Sequence, residues 1–120
     1  MKFKNRAFFA KLGFAVSGWR HAWRFEVNFR RQGWVAMGVF LVLVIFHAPL
    51  IWWMLAAFSI GLVLALELVN TAVEELVDLL SPEYRKRAGR IKDLMAGAVL
   101  VAAIVSLVIA GGLLWTLFNG

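Results

Sequence analysis

Two stretches of the chain carry no Asp, Glu, Lys or Arg: residues 34–66, where only His47 and Ser59 are clearly polar, and residues 94–118, where only Ser106 and Thr116 are. An uncharged apolar run of about 20 residues is what an α-helix needs to cross the roughly 30 Å hydrocarbon core of a bilayer. The first run is too long for one ordinary span. His47-Ala48-Pro49 divides it, because Pro lacks a backbone donor and disfavours a helical residue before it. Three transmembrane helices are expected, over about residues 33–46, 50–80 and 89–117, the second closed by Ser81-Pro82-Glu83. With 120 residues the chain has room for one membrane domain (1–120) and no separate regulatory module. A composition that is 62% hydrophobic and 17% charged argues against a soluble domain.

The net charge of +6 does not imply nucleic acid, because the 13 Lys and Arg form two blocks rather than a stripe among stacking aromatics. One block runs from Lys2 to Arg31 and the other from Arg85 to Lys92. Lys and Arg are retained on the cytoplasmic side of membrane spans, so the N-terminus and the 84–92 loop are expected inside, with the His47 turn and the C-terminus outward. No cleavable signal peptide is expected, since the N-terminal segment lacks an uninterrupted apolar core. The chain has no cysteine, which removes disulfides, thiolate nucleophiles and cysteine metal sites.

Over about residues 3–30, Phe8, Leu12, Ala15, Trp19, Ala22 and Trp23 recur at three- and four-residue intervals among basic residues. This is the pattern of an amphipathic helix lying in the headgroup plane. The simplest reading is an anchor, but the segment also carries Glu26.

An ionisable residue at the edge of a span is costly and marks a functional candidate. At about 100° per residue, Glu67, Asn70, Glu74 and Asp78 fall within about 80° of one another on the second span, with Glu75 directed away. Counting about 20 residues from Leu50 puts Glu67 and Asn70 at the inner edge of the hydrocarbon layer, with Glu74 and Asp78 beyond it. Lys92 and Asp93 reach the same layer on the third span, as do Glu26 and Arg30 at the end of the surface helix.

Carboxylates grouped with a carboxamide supply hard oxygen ligands, and Mg²⁺ commonly takes one or two carboxylates with phosphate oxygens and water. Lys and Arg can hold phosphates, and Glu67 at the apolar boundary can serve as a general base toward a lipid hydroxyl. Phosphoryl transfer needs chiefly positioning, charge neutralisation and a base. Alternatively, the same acids pair with basic residues of neighbouring helices and only hold the bundle together. No G-x-x-x-x-G-K-[ST] or G-x-G-x-x-G occurs, which counts against the soluble kinase folds.

Glu67-Leu-Val-Asn70-Thr-Ala-Val-Glu74-Glu-Leu-Val-Asp78, then Ser81-Pro82-Glu83-Tyr84, then Lys92-Asp93 before Ala96-Gly97-Ala98-Val99-Leu100, resembles the small bacterial integral-membrane diacylglycerol kinase and undecaprenol kinase family. The upstream Glu26-Val-Asn28-Phe29-Arg30 segment extends the resemblance over nearly the whole chain. The resemblance implies an ATP- and Mg²⁺-dependent kinase of a lipid hydroxyl at the cytoplasmic face of the bacterial inner membrane. It also implies an all-α homotrimer with active sites shared between subunits. Diacylglycerol is the first expectation for the substrate and undecaprenol the alternative.

Carried over by motif, Glu67 is the expected base and Asn70 orients the reacting groups. Glu26 and Glu74 ligate the metal and contact the nucleotide. Lys92 and Asp93 organise the nucleotide, with Glu83, Tyr84 and Arg85 near its purine, while Arg30, Trp19, Trp23 and Glu67 lie nearest the lipid. In the family's diacylglycerol kinases an Asn precedes the first metal-binding Glu and an acid follows the Phe-Arg-Gln, whereas here those places hold Phe25 and Gln32. Glu26-Val-Asn28-Phe29-Arg30 and Asp93-Leu-Met-Ala-Gly97-Ala-Val look closer to undecaprenol kinases. The Trp-rich surface helix and Gly89-Arg90 look closer to diacylglycerol kinases.

A non-catalytic membrane adaptor or a small transporter subunit is a competing class. A transporter's Glu belongs near the bilayer midplane, whereas these acids cluster at one edge. Rows of small residues at Ala57, Gly61 and Ala65, and at Ala102, Ser106 and Ala110, suit close helix packing within or between subunits. His47 reads as a solvated turn residue, His21 as an interfacial helix residue, and Trp52 and Trp53 as markers of the outer boundary and no more.

Overall fold

The computed structural model describes residues 2–83 and 85–119, with side chains from residue 7 onward. Among the described residues four helices follow one another: α1 (Lys2–Phe25), α2 (Val27–Ile45), α3 (Leu50–Leu80) and α4 (Lys86–Asn119). α3 packs along α4 and α2, and α1 lies across α2 and α3. The molecule measures 53 × 47 × 23 Å, and at 1.5 Å per residue the 34 residues of α4 run about 51 Å.

The second expected span coincides with α3, but the first differs. α2 begins at Val27 rather than about residue 33, and α1 stops at Phe25 rather than about residue 30. Hydropathy marks where side chains turn apolar, whereas a helix keeps its hydrogen bonds into the polar layer. Asn28, Arg30, Arg31 and Gln32 therefore lie in the first turns of α2. For the same reason α4 starts at Lys86 and ends at Asn119, outside the expected 89–117.

Among the described residues two helices, α3 and α4, are long and apolar enough to cross a membrane. The apolar part of α2, residues 33–45, reaches only about 20 Å, and the full helix of 19 residues about 28 Å.

The turn between α2 and α3 ends the first helix by hydrogen bonding. The Ala48 N–H donates to the Leu43 carbonyl at 3.0 Å and the His47 N–H to that of Val44 at 3.2 Å, the paired bonds of a Schellman motif. His47 occupies its left-handed position, with φ 49°, a conformation that costs a residue with a Cβ about 1–2 kcal/mol. Pro49, two residues on, caps α3. Replacing His47 by Gly is expected to raise the thermal midpoint in detergent by relieving about 1 kcal/mol of strain. A lowered midpoint would mean that the imidazole makes a stabilising contact.

A small core at this end joins Leu43, fully buried, to Ala56 and Leu113. Trp53 stacks on Phe40 with centroids 5.8 Å apart, and Trp52 lies against Gly112, where an added Cβ would meet the indole at 3.3 Å. These two indoles are packing residues, not only boundary markers. Along the α3–α4 seam Ser59 and Ala102 are buried, and the Ser106 hydroxyl donates to the Ser59 carbonyl at 3.4 Å.

The α4 small-residue row thus faces α3, but Ala57, Gly61 and Ala65 are exposed; α3 turns Ala56, Ser59 and Val63 inward instead. Most large apolar side chains, among them Phe58, Leu79 and Leu107, lie on the outside, as in a chain whose surface meets hydrocarbon rather than water.

Candidate active site

The α3 stripe forms as its spacing predicts, and the structure adds its partners. Glu67 is buried at 7% exposure, and among the described residues Ser59 is the other buried polar side chain. Its backbone carbonyl accepts a second bond, from the Thr71 hydroxyl at 3.0 Å. One turn on, the Asn70 amide Nδ2 donates to Glu74 Oε1 at 3.2 Å. Asn70 Oδ1 is buried and has no hydrogen-bond partner. A buried acceptor left open costs about 1–3 kcal/mol, so it is an acceptor poised for a ligand or a water.

Glu26 joins this group from the far end of α1. It is the single residue between α1 and α2, at φ −108° and ψ 107°, and its side chain makes no capping bond. Its charge and that of Glu74 are close enough to act on the Glu67 carboxyl.

The end of the stripe is already paired. Asp78 Oδ1 accepts from Lys92 Nζ at 2.8 Å. The spacing holds a usable signal, since residues equidistant from the turn of a helical hairpin face each other, and Asp78 and Lys92 stand equally far from Arg85. Asp93, the next residue, is exposed.

Glu83 and Arg85 lie exposed in the α3–α4 turn, which the Ser81 hydroxyl ties by donating to the Glu83 carbonyl at 3.1 Å. The structure does not bring either side chain to a carboxylate of the stripe by hydrogen bond or ion pair. Tyr84 lies outside the described residues.

The three residues expected near the lipid divide. Trp19 lines a groove of about 310 Å³ between α1 and α3, with Ala15, Ala22, Leu68, Thr71 and Glu75. Trp23 lies against Gly33 and Trp34, and the Arg30 guanidinium donates to backbone carbonyls at the end of α1. Glu75 points off the stripe as expected, toward His21 Nε2 at 3.7 Å. Sequence spacing held no signal for that pair, because it joins two helices whose crossing is set by the bend at residue 26.

A second groove, of about 270 Å³, lies deeper, between α2, α3 and α4, with Trp52, Val63, Ser106 and Leu113 on its walls and no acid or base. Among the described residues no three His, Asp or Glu side chains close into a protein-only metal cage.

Fold and site define an all-helical membrane protein that gathers hard oxygen donors and a lysine at one end of its apolar helices, where a lipid hydroxyl and a soluble anion can meet. Comparison with known proteins narrows that class. Residues 13–114 match the family described as prokaryotic diacylglycerol kinase. The chain is 34% identical over 107 residues to the diacylglycerol kinase of Escherichia coli (strain K12), covering 89% of this chain and 88% of that one. It is 37% identical over 86 residues to the undecaprenol kinase of Bacillus subtilis (strain 168), covering 72% and 70%. With a diacylglycerol kinase of Synechocystis it shares 36% over 102 residues, covering 84% of this chain and 58% of that one.

The chain belongs to the prokaryotic diacylglycerol kinase family. It is a lipid kinase of a bacterial membrane, with ATP and a lipid as substrates. The adaptor and transporter-subunit readings are thereby set aside.

Proposed function

We propose that the chain transfers the γ-phosphoryl group of MgATP to the hydroxyl of diacylglycerol, giving phosphatidic acid at the cytoplasmic face of the inner membrane. The observation that carries this reading is buried Glu67 one turn from the Asn70–Glu74 hydrogen bond and the open Asn70 Oδ1, at the end of an apolar helix. Glu67 takes the proton of the lipid hydroxyl as its oxygen bonds to the γ-phosphorus, and the bond from that phosphorus to the β,γ-bridging oxygen breaks, releasing ADP. Asn70 holds the reacting groups in line.

The donors fit Mg²⁺, because two carboxylates leave the rest of its shell to phosphate oxygens and water. Glu26 and Glu74 would hold the ion, which when bound neutralises charge developing on the phosphates. Lys92 uses one of its three donors on Asp78, leaving others for phosphate oxygens. Asp93 is proposed to organise the nucleotide beside it, with Glu83, Tyr84 and Arg85 near the purine. The lipid is proposed to approach along α1 past Trp19, with Trp23 and Arg30 beside the bend.

The reading includes α2 as a third span, with its first turns in the headgroup layer, the N-terminus and the α3–α4 turn cytoplasmic and the C-terminus outward, as the basic blocks favour. It also includes a homotrimer with shared sites, for which the exposed Ala57, Gly61 and Ala65 row on α3 offers a close-packing surface. The test is radiolabelled phosphate transfer from MgATP to diacylglycerol and to undecaprenol, presented separately in mixed micelles. Label in diacylglycerol alone is expected. Label in undecaprenol alone would move the assignment to an undecaprenol kinase, the second reading that the 37% relative keeps open, and label in neither lipid would overturn both.

A further inference from the structure

In an unbroken helix the carbonyl of Trp23 would bond the N–H of Val27, and that of Arg24 the N–H of Asn28. The bend at Glu26 removes both bonds, since those amides now belong to the first turn of α2. Arg30 Nη1 takes their place, donating to the Trp23 carbonyl at 2.7 Å and to the Arg24 carbonyl at 2.8 Å. One charged donor thus caps the end of α1 from within α2.

The two helices also meet at Gly33. The Trp23 indole occupies the space a side chain would need, and a Cβ at residue 33 would lie 2.6 Å from Trp23 Cζ3. Between these contacts sits Glu26, whose N–H donates to the Ala22 carbonyl at 2.8 Å and whose own carbonyl accepts from the Arg30 N–H at 3.2 Å. Its backbone is held on both sides while its carboxylate is uncommitted to either helix end.

We infer that Arg30 and Gly33 are positioning residues that fix the α1–α2 bend and thereby set the place of the Glu26 carboxylate beside α3. Neither touches a reacting atom. The inference rests on the reading of Glu26 as a magnesium-holding residue, and it assigns to Arg30 a backbone partner in place of a lipid one.

Because the chain has no native cysteine, a nitroxide pair can be placed through Phe14→Cys on α1 and Leu41→Cys on α2, both exposed, at 74% and 59%. The parent should give one narrow interlabel distance. Arg30→Gln and Gly33→Ala should broaden or displace it, and each should raise the Mg²⁺ concentration for half-maximal turnover about tenfold with the lipid KM nearly unchanged. Arg30→Lys, which keeps a cationic donor, should fall between parent and Gln, and it carries the test if Arg30→Gln does not fold.

An unchanged distance in both bend variants would overturn the inference. So would a raised lipid KM at an unchanged magnesium requirement, the sign of direct lipid contact by Arg30. Glu26→Gln in the same assay separates the two levels. If it raises the magnesium requirement and the bend variants do not, the positioning inference alone fails; if it leaves the requirement unchanged, the metal role of Glu26 fails and the positioning role with it.

Discussion

Replacing Glu67 by Gln is expected to lower turnover about a thousandfold, within the range that a positioned base contributes to proton transfer, while MgATP still binds. Gln has nearly the volume and shape of Glu but cannot take up the hydroxyl proton. The substitution leaves the local fold intact, because the Thr71 hydroxyl bonds the backbone carbonyl at residue 67 and not its side chain. It also leaves the Asn70–Glu74 hydrogen bond untouched, so the thermal midpoint should hold. Single-turnover phosphate transfer and equilibrium nucleotide binding, measured on the same preparation, check both halves. Undiminished turnover would remove Glu67 as the base. Glu75→Gln is the control, since its partner His21 is an exposed residue of α1; a loss as large as that of Glu67→Gln would place the reacting groups on a different face of α3.

The second large effect is expected at Glu74, where two substitutions separate charge from structure. Glu74→Gln keeps an oxygen to accept the Asn70 amide bond of 3.2 Å but loses the negative charge. It should raise the Mg²⁺ concentration for half-maximal turnover at least about tenfold with little change in stability. Glu74→Ala removes the acceptor as well, and Asn70, whose Oδ1 already lacks a partner, then loses its amide bond too. A further cost of about 1–2 kcal/mol in stability is expected, read as a lower thermal midpoint than that of Glu74→Gln. A magnesium requirement unchanged in both variants would refute the metal role, whatever the stabilities show.

Much of the site was legible because it lies on one helix. Rotation of about 100° per residue puts Glu67, Asn70 and Glu74 on one face, and the Asn70–Glu74 hydrogen bond follows from that spacing. The limits of the span were equally local in origin: Pro49 and the Schellman bonds of His47 and Ala48 set one end, and Pro82 the other.

The remaining parts depend on how helices cross. Glu26 lies 41 residues before Glu67; counting residues puts it in the layer of the α3 stripe, but the break of α1 at that residue and its crossing of α3 are not visible in its spacing. The break itself was misplaced in the sequence reading because Asn28, Arg30, Arg31 and Gln32 look like a surface helix by polarity, although they form the first turns of α2. Arg30 reads as a lipid-facing base until the bend exposes two carbonyls for it to cap. The choice of Ala56, Ser59 and Val63 over Ala57, Gly61 and Ala65 as the inward face of α3 follows the same logic, since small residues permit a close approach without saying which neighbour makes it.

The sequence by itself determined an all-helical membrane chain, its family and the stripe on α3, because helical rotation and transfer from water to lipid act on residues close in sequence. Only the tertiary structure decided that α1 breaks at Glu26, that Lys92 takes Asp78, and that Arg30 and Gly33 make contacts across the bend. Each of these depends on the angle and register between helices, which are set by packing over the whole chain and not by any one segment.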